Sequence, residues 1–260
     1  MPGSSACDVT YIKFYMKIII FIDRMKGAGE MFLTTQDIAK MMDLSCVQVT
    51  YTQYDLIELV NTAKKYGCGQ ISVLHCFLED AKELAEESGG VRVVGNVSFP
   101  SGSDTTALKV VQAEQIKAVG VDEIDMVLNV NYMRSGMYDV VRKDIAAVAA
   151  AVGETPLKVI IEVSCLKTEQ IKLASKMCVD EGAAFVKTGT GWTGPTTVGH
   201  VKTIKSVVGD AISIKASGGV KSLALLVDMY KEGATRFGVN LEGGIRILEE
   251  CIAMGGKVEL

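Results

Sequence analysis

The chain has 260 residues, 48% hydrophobic and 22% charged, which suits one large domain or two small ones with a sizeable core. A formal net charge of −4 removes any electrostatic case for nucleic-acid binding. Seven cysteines, odd in number and without a Cys-x-x-Cys pair, suit reduced thiols in a cytoplasmic protein better than a disulfide framework.

The first predicted feature, Tyr11 to Ile22, is apolar but interrupted by Lys13 and Lys17, and it is too short to span a bilayer. No small-residue cleavage site follows, so neither a membrane anchor nor a signal peptide is expected. Residues 1–32 are expected to form an N-terminal extension outside the fold, disordered or begun at an early start codon. An added strand or helix packed on the main domain is the alternative. From Leu33 onward, strand-length apolar runs alternate with helical patterns. Thr34 or Thr35 caps a helix in which Ile38, Met41 and Met42 follow at helical spacing. Leu44 to Val47 reads as a strand, and Tyr54 to Tyr66 as a helix with Leu56, Leu59, Val60 and Ala63 on one face. A strand over Gln70 to Leu74 precedes a helix over Leu78 to Glu87. A strand over Val91 to Val97 precedes a helix over Asp104 to Val119. The fourth strand covers Glu123 to Val130, with a helix from Gly136 to Val152. Lys158 to Val163 and Thr168 to Glu181 form the fifth pair, and Ala184 to Lys187 with Thr196 to Val207 the sixth. Ala211 to Lys215 with Leu223 to Glu232 is the seventh, and Arg236 to Val239 with Gly244 to Ala253 the last.

Eight strand–helix pairs in about 220 residues predict an α/β fold of the (β/α)8 TIM-barrel type, a single catalytic domain over 33–260. A doubly wound open sheet is the competing architecture, and no Gly-x-Gly-x-x-Gly follows the first strand to support it.

Active sites of this fold lie at the C-terminal ends of the strands. Lys187 ends the sixth strand and Lys215 the seventh, each before a glycine-rich turn, so two amines on neighbouring strands face one mouth. A cationic neighbour and apolar walls both lower a lysine pKa, and a neutral lysine is a nucleophile toward carbonyls. Asp125, in the fourth strand, is the best-placed carboxylate, because Glu123 lies at the strand entrance. Enclosed between apolar residues, Asp125 needs a cationic partner, and one of the two lysines is the natural candidate. The turns carrying Gly191, Gly218, Gly219 and Gly238 suit an oxyanion through exposed N–H groups, with Lys221 adding charge. His75 and His200 form no metal-ligand set and read as structural or surface residues. No metal or cofactor is expected.

Lys187-Thr-Gly-Thr-Gly191, Ile214-Lys-Ala-Ser-Gly-Gly-Val220 and Asp122-Glu-Ile-Asp-Met-Val127, with Phe99-Pro100-Ser101-Gly102, Lys158 to Glu162 and Arg236-Phe237-Gly238, resemble the deoxyribose-phosphate aldolase family. The resemblance runs from about Leu33 to Gly256. It implies a class I aldolase on a (β/α)8 barrel that cleaves 2-deoxyribose 5-phosphate to acetaldehyde and glyceraldehyde 3-phosphate. It makes Lys187 the Schiff-base nucleophile, Lys215 the cation that keeps it deprotonated, and Asp125 a proton relay through water. Partners would be small-molecule aldehydes and sugar phosphates, with a homo-oligomer left open. Three places depart from the family pattern. Gly189 replaces a serine, Asn131 a glycine, and Asn240 and Leu241 stand where two serines bind the substrate phosphate, Asn240 still able to donate hydrogen bonds and Leu241 offering no side-chain donor. Glu242 follows, bringing negative charge toward a dianion. Another Schiff-base lyase or transaldolase-like enzyme with a different substrate, and a catalytically silent sugar-phosphate-binding barrel, are the rival expectations.

Overall fold

Eight parallel strands close on themselves in chain order in a computed structural model that describes residues 31–260. They are β2 (Met42–Cys46), β3 (Gln70–Val73), β4 (Val93–Val97), β5 (Glu123–Val127), β6 (Leu157–Ile160), β7 (Phe185–Lys187), β8 (Ser213–Ser217) and β9 (Arg236–Asn240). Closure is made by β2 against β9, with Asp43 opposite Gly238 and Ser45 opposite Asn240. The (β/α)8 barrel is therefore the observed fold. Most of the extension expected over 1–32 lies outside the described residues. Phe32 is within them and belongs to β1 (Phe32–Thr34), which pairs antiparallel with β10 (Lys257–Glu259).

The helices form where an apolar stripe repeats at helical spacing and a cap starts it. In α1 (Thr35–Lys40), Thr34 Oγ1 accepts from Asp37 N at 3.1 Å and Asp37 reaches back, a capping box. The helix stops at Lys40, so Met42 opens β2 rather than extending the helical stripe. In α2 (Gln53–Tyr66) the predicted face of Leu56, Leu59, Val60 and Ala63 is buried, and Gly67 ends the helix in the left-handed region. The helices α3 (Leu78–Glu87), α4 (Thr106–Ala118), α6 (Tyr138–Val152), α7 (Thr168–Asp180), α8 (Val198–Val208), α9 (Leu223–Lys231) and α10 (Leu241–Ala253) follow the remaining strands. His200 helps to start α8, its Nδ1 accepting from Thr197 N at 3.2 Å.

The strand predicted to run to Val130 ends at Val127. Asn129 accepts from Tyr132 N at 3.1 Å and caps a short extra helix, α5 (Val130–Arg134). A side-chain cap competes locally with continued strand pairing. Lys109, wholly buried on α4, donates to Val127 O at 3.0 Å and to Asp144 of α6 at 2.6 Å. This interior pair ties two helices to the end of β5 and so fixes the strand that carries Asp125.

The barrel interior is not the usual stack of branched apolar layers. Alternation along the strands turns Asp43, Glu123, Asp125, Lys158, Lys215 and Arg236 toward one another inside it. Leu44 and Val239 face outward instead, against Gly244 of α10.

Candidate active site

The interior charges form a closed circuit around Asp125. Its Oδ2 accepts from Lys187 Nζ at 2.6 Å and Lys215 Nζ at 3.0 Å, and its Oδ1 from Lys158 Nζ at 2.8 Å. Lys158 also lies 2.6 Å from Glu123 Oε2, and Lys215 2.6 Å from Asp43 Oδ2. Arg236 joins the far side, 3.0 Å from Asp43 Oδ1 and 3.9 Å from Glu123 Oε1. Four interior cations thus share three carboxylates, and Arg92 reaches Glu123 Oε1 from outside at 3.0 Å while also pairing with Asp122 at 3.5 Å, so the group carries one cation more than its carboxylates balance.

Electrostatics decides which cation gives up a proton. Burial pushes Lys187 down, Asp125 opposes it and Lys215 reinforces it, leaving Lys187 lowered to about 8. Burial acts on Lys215 in the same direction, but Asp125 and Asp43 together outweigh it and hold Lys215 above the ordinary lysine value. Asp125, despite complete burial, is held well below the usual carboxylate range by Lys158, Lys187 and Lys215. Access points the same way. Lys187 leaves 8% of its side chain exposed, against 1% for Lys215 and none for Lys158. With a value near 8, about a tenth of Lys187 is neutral at pH 7. Trace acylation should therefore label Lys187 along a titration curve centred near about 8. A curve centred at the ordinary lysine value of about 10.4 would contradict this electrostatic assignment.

Lys187 and Lys215 open into a cavity of about 370 Å³ at the C-terminal ends of the strands. Gly191, Gly218, Gly219, Lys221, Gly238 and Asn240 all line it, so the residues singled out from sequence meet at one mouth. Asp125 lies beneath the floor, reached through the lysines. The turns after β7 and β8 touch backbone to backbone. A Cβ on Gly218, at φ 86°, would fall 3.0 Å from Gly191 N. Gly238 makes room for the interior charges, since a Cβ there would sit 2.8 Å from Ser217 Cβ and 3.3 Å from Lys215 Cε.

Two of the departures turn out differently from expectation. Leu241 is 3% exposed and packs in the hydrophobic core, so its side chain neither grips nor blocks an anion. Asn240 does not present free donors. Its Oδ1 caps Gly243 N at 3.2 Å, and its Nδ2 donates to Glu242 Oε2 at 2.7 Å. Tyr51, on the opposite rim, donates its hydroxyl to the same oxygen at 3.3 Å. Burial and the Glu242 carboxylate raise the Tyr51 hydroxyl.

Sequence reasoning passed over Asp43, Lys158, Glu123 and Arg236 as site residues. The signal was present in part. Asp43 stands alone among apolar residues, but placing the first strand from Leu44 left Asp43 in a loop. Glu123 lies at the strand entrance, yet it joins Lys158 to Arg236 and so closes the circuit, and it also accepts from Arg92 Nη2 at 3.0 Å.

A parallel barrel that buries lysines on a carboxylate beneath a polar mouth has the parts of a carbon–carbon lyase. The comparisons agree with that class. Residues 28–241 match the model for DeoC/LacD family aldolase, and the chain belongs to that family and is a lyase. Deoxyribose-phosphate aldolase of Sinorhizobium medicae is 39% identical over 226 residues, covering 86% of this chain and 91% of the relative. The enzyme of that name from Staphylococcus carnosus is 38% identical over 214 residues, covering 82% and 96%. Among solved structures, one described as QR15, an aldolase, superposes with a TM-score of 0.79 at 30% identity over 84% of this chain and 97% of that one. The tetrameric deoxyribose phosphate aldolase of Aeropyrum pernix shares the fold, with a TM-score of 0.76 at 23% identity over 90% and 95% of the two chains. Among the described residues no helix is long and apolar enough to cross a membrane.

Proposed function

We propose that this chain is a class I aldolase that reversibly cleaves 2-deoxyribose 5-phosphate to acetaldehyde and glyceraldehyde 3-phosphate. Neutral Lys187 adds to the C1 aldehyde, and loss of water leaves an iminium. The C3 hydroxyl then gives up its proton, and the C2–C3 bond breaks. Its electron pair passes to the iminium, forming an enamine and releasing glyceraldehyde 3-phosphate. Protonation at C2 and hydrolysis release acetaldehyde. Asp125, shared among three lysines, is the relay that moves these protons through water, and Lys215 is the fixed cation that keeps Lys187 deprotonated. The iminium is itself the electron sink, so the chemistry asks for no metal. The observation that carries this reading is Lys187: 2.6 Å from Asp125, lowered to about 8 and open to the cavity. The identities with deoxyribose-phosphate aldolases support the substrate. The six free cysteines among the described residues support a reducing, cytoplasmic setting.

Borohydride treatment with acetaldehyde, followed by peptide mass mapping, tests it. The expected result is an adduct at Lys187; an adduct confined to Lys215 or to surface lysines would overturn the assignment.

A second reading concerns the far end of the substrate. The amides of Gly218 and Gly219, with Lys221, remain available to phosphate, but Glu242 holds the Asn240 and Tyr51 donors. That favours a weakened preference for the phosphate ester and room for a non-phosphorylated aldol. A charge-assisted hydrogen bond contributes about 1.5–3 kcal/mol, so Glu242→Gln should raise the specificity ratio of 2-deoxyribose 5-phosphate over 2-deoxyribose by about tenfold or more. Leu241 is left intact in this test because a serine there would be buried in the core. An unchanged ratio would mean that the glycine turns and Lys221 suffice.

A further inference from the structure

The loop after β7 is pinned by a residue the proposed chemistry does not use. Glu162 follows β6 with φ 55°, a left-handed conformation that a residue with a long side chain rarely adopts. It is 2% exposed, and among the described residues no cation lies within ion-pair distance of it. Its carboxylate is satisfied by Thr190 alone, accepting from the hydroxyl at 2.5 Å and from the backbone N–H at 3.3 Å. Thr190 Oγ1 in turn accepts from Trp192 N at 3.1 Å. A second tie joins the same two loops, Ser164 Oγ to Thr193 Oγ1 at 2.7 Å. A buried carboxylate without a counter-charge is costly, and so is a left-handed glutamate. Both costs fall at one residue whose contacts do nothing but hold this loop.

What the loop carries is Trp192. Its ring meets the edge of Phe99, which follows β4, at 6.3 Å between centroids and 88° between planes. The strands β5 and β6 lie between β4 and β7 on this side, so the contact bridges part of the mouth above the Asp125 and Lys158 strands. Phe99 lines the cavity with Lys187 and Thr190, while Trp192, 41% exposed, buttresses it from outside. Gly189 makes the latch possible. A Cβ at this position would fall 2.9 Å from Glu162 Oε1, so a serine there would push the carboxylate off Thr190.

We propose that Phe99, propped by Trp192 on a loop latched through Glu162 and Gly189, is a wall that limits the size of the carbonyl donor bound at Lys187. Trp192 is carried by the loop that directly follows Lys187 on β7, whereas Lys221 and Asn240 belong to the separate loops after β8 and β9. The wall therefore bears on the donor carbons rather than on the phosphate end. Donor selection rests on the Schiff-base reading of Lys187; the latch itself does not.

Two measurements on the purified full chain separate them. Trp192 is the only tryptophan in the sequence, so its fluorescence reports the loop directly. Glu162→Gln and Gly189→Ser should each shift its emission to the red and increase its quenching by acrylamide. The second measurement is the ratio of trapping rates at Lys187 for acetaldehyde over propanal. One methylene against a well-packed wall is worth about tenfold, so Trp192→Ala and Phe99→Ala should lower the ratio by about that factor. Trp192→Phe, which keeps an aromatic edge, should hold the ratio near that of the parent chain. Unaltered fluorescence in both latch variants would overturn the latch. An unaltered ratio in Trp192→Ala would overturn the wall. Absence of any Lys187 adduct in the parent chain would overturn donor selection together with the Schiff-base reading, whatever the fluorescence shows.

Discussion

Replacing Lys187 with alanine removes both the trapped adduct and turnover, with a loss of about four orders of magnitude or more, as expected when a covalent nucleophile is deleted. The mutant should still fold. Lys187 is the one cation of the circuit that opens most to the cavity, and Asp125 keeps Lys158 at 2.8 Å and Lys215 at 3.0 Å when it is gone. Lys187→Arg should fail equally, although it restores the charge, because a guanidinium stays protonated. Rates of 2-deoxyribose 5-phosphate cleavage, read beside mass mapping after borohydride, check both variants. Retained turnover in Lys187→Ala would place the nucleophile elsewhere.

The other large effect is expected at Lys215, and there it depends on pH. In the parent chain Lys215 helps burial to keep Lys187 at about 8 while Asp125 pulls the other way. Lys215→Leu removes the nearby positive charge and leaves Lys187 a larger share of Asp125, so both changes raise Lys187. If it returns to about 10.4, the neutral fraction at pH 7 falls by about two orders of magnitude, and the lost rate returns as pH rises toward the new value. A structural loss would not recover in alkali, so the pH–rate profile separates tuning from misfolding. Breaking a buried ion pair costs about 3–5 kcal/mol, yet here both carboxylates keep another cation. Asp43 retains Arg236 at 3.0 Å, and Asp125 retains Lys158 and Lys187. A profile of unchanged shape would show that Lys215 does not tune Lys187.

Local order was largely legible in the residues alone. Helix faces such as Leu56, Leu59, Val60 and Ala63, the cap at Thr34 and the span Leu78–Glu87 follow from period, capping chemistry and turn residues, which act within a few positions. The eightfold alternation carried the barrel, and the two lysines before glycine turns carried the mouth. The same reading overran where a short-range competitor intervened, as at Asn129, whose side chain ended β5 in favour of a helix. It missed β1 and β10 because three-residue strands have no period to detect, and their pairing joins the two ends of the described chain.

What tertiary structure alone decided is the partnership among charges. Asp125 was expected beside one lysine and stands among three, drawn from β6, β7 and β8. Asp43 comes from β2, and only closure of β2 on β9 brings it to Arg236 and Lys215. These contacts span up to most of the chain, and no local spacing encodes them. The phosphate end turned on rotation about a helix start, which sends Leu241 into the core and gives Asn240 to Glu242. Sequence determined which titratable groups the barrel would carry and at which strand ends. The fold determined which of them share a proton, because burial and distance set a pKa, and both exist only once the strands have closed.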